Sequence, residues 1–244
     1  MNQKFFLLAI LGLLVLGFIY FPYFITSETK IVPVVNFSEE IQKSVAEIYV
    51  PAVNEKGEGV ATILRVEAIP GEGRVLVDIH QLLFWVDTQY SIQIAKSVAQ
   101  KLTGLNLSKI DLIYSIETNA SIIEGPSAGA ALTIATIAAL ENKSLNESVI
   151  ITGTINPDGS IGPVGGILAK AQAGKQVGAK LFLVPKGQGT QVTYKPIRKC
   201  EEIGPITYCT IKYLPEKISI SKDVGIDVIE VSNIEDALKY FLVE

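Results

Sequence analysis

The longest apolar run of the chain lies at its N-terminus. No charged residue occurs from Phe5 to Ser27, and Phe5–Phe21 is almost wholly apolar. A helix needs about 20 apolar residues to cross a bilayer. We therefore expect residues 1–27 to form an N-terminal transmembrane signal anchor. A cleaved signal peptide is the alternative, but its apolar region is shorter and ends in an Ala-x-Ala-like site, which is absent between Phe18 and Lys30.

The residues that flank this run indicate its orientation. Lys4 precedes the run, and Tyr20 and Tyr23 stand near its other end, where aromatic residues favour a membrane interface. The sequence therefore predicts a single-pass membrane protein whose remaining residues lie outside the cytoplasm. Residues 28–43 are expected to be a spacer, and residues 44–244 a folded domain.

Within that domain, helix and strand patterns follow each other without strict alternation. β-Branched and apolar residues predict strands over 45–53, 59–70, 74–79, 111–116, 149–155, 180–184 and 227–231. Periodic apolar faces and caps predict helices over 87–102, 127–141 and 167–177, and a last helix that a Ser232–Glu235 capping box opens and that ends at Leu242. Residues from about 186 to 223 show no helix pattern and are expected to form an added β-hairpin region. This mixture favours an α+β fold over a doubly wound sheet.

Composition excludes some classes of function. The net charge of −4 leaves no basic footprint for nucleic acid. Two cysteines and one distant histidine make a zinc site untenable, and we expect neither a metal nor a cofactor. Cys200 and Cys209 flank a Gly-Pro turn and suit a hairpin disulfide in an oxidising compartment; two unrelated buried thiols are the alternative.

The candidate chemistry begins at Ser127. This serine stands where the turn residues Gly125 and Pro126 lead through Ala128 into a long apolar helix. The amides and the positive dipole at a helix N-terminus stabilise an alkoxide or an oxyanion. Ser127 can equally be a simple helix cap, because serine is a preferred N-cap residue.

A nucleophilic serine needs a base, and Lys170 is the candidate. The pattern puts Lys170 on the apolar face of the predicted helix 167–177, in its first turn. Desolvation and the positive helix end both lower a lysine pKa, so this amine can accept a proton. In the alternative interpretation, Lys170 reaches water from the edge of that face.

Three separated motifs resemble the proteolytic domain of the Lon proteases. They are Glu-Gly-Pro-Ser-Ala-Gly at 124–129, Ile-Thr-Gly-Thr-Ile at 151–155 and Gly-Pro-Val-Gly-Gly-Ile-Leu-Ala-Lys at 162–170. The resemblance implies a ribosomal protein S5 domain 2-like fold of mixed sheets with packed helices. It implies a catalytic dyad of Ser127 and Lys170, with Thr152 near the lysine. Glu124 stands where the family often has aspartate.

The resemblance also implies a polypeptide substrate and a ring, commonly of six subunits. The chain contains no Walker-type Gly-x-x-x-x-Gly-Lys-Ser/Thr segment, so we expect an ATP-independent, membrane-anchored serine endopeptidase acting on unfolded or short polypeptides. Two alternatives remain. One is a catalytically inactive membrane-tethered binding module, and the other is a phosphate-binding kinase-like domain, because Gly-Pro-Ser-Ala-Gly-Ala is similar to the phosphate loop of galactokinase-type kinases.

Overall fold

The computed structural model describes residues 43–80, 83–84, 86–117, 122–123 and 125–242. None of these residues lies in a helix that is both long and apolar enough to cross a bilayer. The predicted anchor at 1–27, nearly all of the spacer, and Glu124 lie outside the described residues.

Strands make up most of the regular structure of the described residues. They are β1 (Ser44–Val53), β2 (Gly59–Pro70), β3 (Val75–Val77), β4 (Leu83–Phe84), β5 (Ile110–Glu117), β6 (Ile122–Ile123), β7 (Val149–Ile151), β8 (Thr154–Ile155), β9 (Ile161–Gly162), β10 (Leu181–Pro185), β11 (Thr190–Ile203), β12 (Ile206–Ser219) and β13 (Asp227–Val231). The helices are α1 (Val86–Thr103), α2 (Gly129–Glu141), α3 (Ile167–Gln176), α4 (Ile220–Val224) and α5 (Ile234–Phe241), with short 3-10 turns at Leu107–Lys109 and Pro126–Ala128.

Two sheets form the framework of the domain. The first has the strand order β1-β2-β5-β3, in which β1, β2 and β5 are antiparallel and β3 runs parallel to β5. The second has the order β13-β10-β7, and all of its strands are parallel. The mixed α+β architecture expected from the sequence is therefore observed.

Helix α2 lies at the centre of the main core. Every residue from Gly129 to Ala139 is buried, as expected for a helix that is apolar on all sides. The helix packs against α1 and against β1 and β2. The serine turn at Pro126–Ala128, which immediately precedes α2, is consequently attached to the most buried element of the fold.

Helix α3 packs against both sheets of the framework. It contacts β1, β2 and β10, and Ile167 and Ala171 join a second apolar cluster with Phe182, Val184 and Ile220. A side chain at Gly59 of β2 would collide with the carbonyl oxygen of Ala169. The helix that carries Lys170 therefore lies directly against the first sheet.

Strands β11 and β12 form a long two-stranded arm. Among the described strands, each of the two pairs only with the other, over the whole length from Thr190↔Ser219 to Ile203↔Ile206. Cys200 and Cys209 are directly opposite each other and form a disulfide. Most large apolar side chains of the arm are exposed, among them Val192, Tyr194, Ile197, Ile206, Tyr208, Ile211, Tyr213 and Leu214.

Three local predictions are wrong. The single strand predicted over 149–155 is two strands. It is interrupted at Thr152 and Gly153, whose amides donate hydrogen bonds to the carbonyls of Leu183 and Ser127. The region expected to lack helix contains α4. Helix α5 is capped by Asn233, which accepts a hydrogen bond from the amide of Asp236 at 2.8 Å, and not by the predicted capping box that starts one residue earlier.

Candidate active site

The serine turn is built by a glycine and a proline. Gly125 has a φ of +95°, a conformation that glycine adopts at little cost, and Pro126 starts the 3-10 turn. Ser127 lies inside this turn. Ala128 is the N-cap residue of α2, and no side chain makes a capping bond there. The interpretation of Ser127 as a simple helix cap is therefore wrong.

Backbone bonds from the neighbouring strands fix the turn. The carbonyl of Ser127 accepts a hydrogen bond from the amide of Gly153 at 2.9 Å, and the amide of Ala130 donates to the carbonyl of Gly153 at 3.0 Å. Gly129 allows this close approach, since a Cβ atom there would lie 2.8 Å from the backbone nitrogen of Ile155. The break between β7 and β8 thus positions the serine.

Lys170 is buried in the first turn of α3. Its side chain is only 4% exposed, so the interpretation in which it reaches water is wrong. Nζ donates a hydrogen bond to Thr152 Oγ1 at 3.2 Å. Burial lowers the pKa of Lys170 from its ordinary value to about 8, because desolvation penalises the charged form. The amine is therefore poised to lose its proton close to neutral pH.

Thr152 links the lysine to the serine turn. It is fully buried, and its hydroxyl donates to the carbonyl oxygen of Ser127 at 3.2 Å while it accepts from Lys170 Nζ. One hydroxyl can fill both roles. Among the described residues no hydrogen bond joins Ser127 Oγ to Lys170 Nζ directly. Thr152 instead connects the lysine amine to the backbone carbonyl of Ser127.

Ser127 and Lys170 both line one cavity of about 190 Å³. Gly125 and Ala128 from the serine turn and Gly165 and Gly166 from the segment before α3 lie on its wall. The remaining wall is supplied by the first sheet: Val50, Pro51, Ala52, Val53, Thr62 and Ile116. The structure therefore brings the two predicted residues to the same pocket from distant parts of the chain.

Not every predicted residue reaches this pocket. Pro126 is exposed and absent from its wall, and Glu124 lies outside the described residues. The end of β1 also lines the cavity. The sequence does not predict this role, because the β-branched pattern there indicates only a strand. Within the described residues, no cluster of His, Cys, Asp and Glu side chains suited to a metal ion occurs.

The domain model described as the Lon protease (S16) C-terminal proteolytic domain matches residues 61–211, which is more than half of the chain. The chain belongs to this family. The matched range contains Ser127, Thr152 and Lys170. It also contains the segment that resembles a kinase phosphate loop, so the Lon resemblance is the one that the family match supports.

Whole Lon proteases are similar to this chain over part of their length. The archaeal Lon protease of Thermoplasma acidophilum is 34% identical over 90 residues, which are 37% of this chain and 14% of that protein. The archaeal Lon protease of Methanothermobacter thermautotrophicus is 29% identical over 117 residues, which cover 48% and 18%. The Lon protease of Vibrio parahaemolyticus is 32% identical over 143 residues, which cover 55% and 18%. The matched part thus spans less than a fifth of each relative.

Proposed function

We propose that this protein is a membrane-anchored serine endopeptidase that works without ATP, with Ser127 as the nucleophile and Lys170 as the general base. The observation that carries the proposal is the buried amine of Lys170 in the cavity that Ser127 lines. Burial of a charged lysine destabilises the folded chain. A buried amine with a lowered pKa is typical of a functional site, where it can transfer a proton.

In the proposed reaction, Ser127 Oγ attacks the carbonyl carbon of a peptide bond while neutral Lys170 Nζ takes the hydroxyl proton. The resulting tetrahedral intermediate breaks its C–N bond, and Lys170 returns the proton to the leaving amine. Water then attacks the acyl-enzyme ester while Lys170 Nζ takes one of its protons. The second tetrahedral intermediate breaks its C–Oγ bond, Lys170 gives the proton to Ser127 Oγ, and the carboxylic acid leaves. The proton and the leaving group are accounted for in both halves.

Two further groups support this chemistry. Thr152 holds Nζ by the 3.2 Å hydrogen bond, and the proposed proton transfer requires Nζ to reach Ser127 Oγ within the cavity that both residues line. Catalytic hydrogen bonds often tighten only when substrate is bound. The amides of Ser127 and Ala128 belong to the first turn of a helical segment, where N–H groups lack intrahelical partners, and they would bind the oxyanion.

The test is cleavage of a fluorescently labelled unfolded protein by the full-length chain in the absence of nucleotide. We expect turnover by the native chain and its loss in both Ser127→Ala and Lys170→Ala, while Lys180→Ala, at an exposed lysine, retains it. Activity that survives in either of the first two variants excludes the dyad. No turnover by the well-folded native chain supports the inactive binding module instead.

Membrane anchoring and location form a separate part of the proposal. The uncharged stretch Phe5–Ser27 and the Cys200–Cys209 disulfide support a domain outside the cytoplasm. Sedimentation of the full chain with membranes, and digestion of the domain by protease added outside intact cells, test it. A ring of six subunits stays a prediction, which mass photometry of the detergent-solubilised chain tests.

A further inference from the structure

The segment before the lysine helix is held by a side chain from another part of the fold. Gln188 lies in the turn between β10 and the arm, 24 residues from Val164. Its Oε1 accepts a hydrogen bond from the amide of Val164 at 3.0 Å, and its Nε2 donates to the carbonyl of the same residue at 2.7 Å. The carboxamide therefore satisfies both backbone polar groups of Val164.

Val164 is close to the proposed chemistry. The next two residues, Gly165 and Gly166, line the cavity with Ser127 and Lys170. Gly166 is the N-cap residue of α3, and its carbonyl accepts the hydrogen bond of the Lys170 amide at 2.9 Å. A shift of Val164 would therefore move the start of the helix that carries the lysine.

The turn that carries Gln188 is itself fixed. The carboxylate of Glu230, on β13, accepts one hydrogen bond from the amide of Gly187 and one from that of Gly189, both at 2.9 Å. These two amides lie on either side of Gln188, whose own amide donates to the carbonyl of Pro185 at 3.0 Å. The bonds from Gly187 and Gly189 lower the pKa of Glu230, so the carboxylate is ionised at neutral pH.

We infer that Gln188 is a positioning residue for Lys170, and that Glu230 acts through it by fixing the turn. This inference rests on the proposed function for its catalytic part. Both bonds require a carboxamide at this position, because only a group that donates and accepts can bind the amide and the carbonyl of the same residue. Asparagine is one methylene shorter and glutamate lacks the donor. Methionine fills similar space and makes neither bond.

The test compares Gln188→Met and Gln188→Glu with Gln191→Met and Gln191→Glu, at an exposed glutamine near the start of β11. For a short peptide substrate, the loss of both hydrogen bonds in Gln188→Met should lower kcat by about tenfold. Gln188→Glu, which loses the donated bond, should lower kcat in the same direction. KM should change by less than about threefold, and both Gln191 variants should match the native chain. Unchanged kcat in Gln188→Met and Gln188→Glu would overturn the inference.

A second readout separates this inference from the proposed function. Hydrogen exchange of the peptide that contains Lys170, measured on the full chain, should be about tenfold faster in Gln188→Met than in Gln191→Met. This result does not require peptidase activity, so it tests whether Gln188 holds the start of α3 even if the chain proves inactive. Equal exchange in the two variants would contradict that role of Gln188.

Glu230 supplies a double-mutant cycle. Glu230→Gln replaces one acceptor oxygen by a donor and should lower kcat in the same direction as Gln188→Met, but less. If Glu230 acts through Gln188, the double variant is no worse than Gln188→Met alone. Additive losses would show that Glu230 acts independently and would remove it from the inference.

Discussion

At the scale of single residues, Lys170 carries a conflict between stability and function. Its ammonium is buried beside a neutral hydroxyl, and within the described residues no carboxylate forms an ion pair with it. The burial that destabilises the charged form is also what produces the basic, neutral amine that the proposed mechanism needs. Two predictions follow from the same pKa.

The first prediction concerns the pH dependence of activity. Only the unprotonated amine accepts a proton, and the pKa of Lys170 is lowered to about 8, so kcat/KM should rise with pH and level off above about pH 8. Initial rates on a short peptide between pH 6 and pH 10 measure this. The Lys180→Met variant should give the same curve. A pH-independent kcat/KM across this range would contradict the assignment of Lys170 as the base.

The second prediction concerns stability. Because the pKa of Lys170 is about 8 in the folded chain and 10.5 ordinarily, the unfolded chain binds more protons between these values. The buried ammonium therefore lowers the free energy of unfolding by its full amount below pH 8, and this destabilisation disappears as the pH rises toward 10.5. Lys170→Met should therefore raise the free energy of unfolding at pH 7 by roughly 1–3 kcal/mol while it abolishes activity.

Urea unfolding of the native chain and of Lys170→Met, followed by circular dichroism at pH 7 and pH 10, checks this difference. The stabilisation should be smaller at pH 10 than at pH 7. Lys180→Met, at an exposed lysine, serves as the matched control and should change stability little at either pH. A Lys170→Met chain that is less stable than the native chain at pH 7 would contradict the predicted stabilisation.

At the scale of elements, the site depends on how closely α3 approaches β2. Gly59 leaves room for the carbonyl oxygen of Ala169, the residue before Lys170. Helix α2 is seated in the same way, with Gly129 against the backbone of Ile155. Gly59 and Gly129 thus set how closely the two helices approach their neighbours, although the chemistry belongs to other residues.

We predict that Gly59→Ala displaces α3 from the sheet. Overpacking of a tight contact typically costs about 1–3 kcal/mol, and a displacement of about 1 Å at a catalytic group can lower activity about 100-fold. Thermal unfolding and peptidase assays measure the two effects. For stability, Gly165→Ala is the matched control, because a Cβ atom there meets no atom within 4 Å. Native-like activity in Gly59→Ala would mean that α3 tolerates the shift.

At the scale of the whole molecule, the arm is distinct from the body of the domain. It carries exposed apolar side chains on both faces, and among the described elements its strands contact chiefly each other and α4. An isolated two-stranded hairpin is only marginally stable in water. The disulfide near its tip and the turn at Gln188 therefore hold the arm at its two ends.

We predict that reduction of the Cys200–Cys209 disulfide loosens the arm and leaves the body folded. Limited proteolysis should gain cleavage sites within 190–219, and the melting temperature of the body should shift by less than about 2 °C, since few body contacts depend on the arm. The Cys200→Ser/Cys209→Ser variant should behave like the reduced chain. Loss of the folded body on reduction would show that the arm is part of the core.

Much of this architecture is encoded locally. Apolar periodicity placed helices α1, α2 and α3 and the first two strands to within a few residues, because burial of one face imposes a 3.6- or 2-residue repeat. The Gly-Pro turn beside Ser127, and an amine on an apolar helix face at Lys170, identified the two candidate catalytic residues. Each of these signals lies within about one helical turn or one strand of the residue that it predicts.

Only the tertiary structure determined the rest. The break at Thr152 and Gly153 comes from bonds to Leu183 and Ser127, and the contacts of Gln188 with Val164 span 24 residues. Periodicity shows which face of an element is buried, but it does not show which group a backbone amide binds after folding. The sequence therefore predicted which groups carry the proposed chemistry, whereas the long-range hydrogen bonds and close glycine contacts decided how those groups are held together.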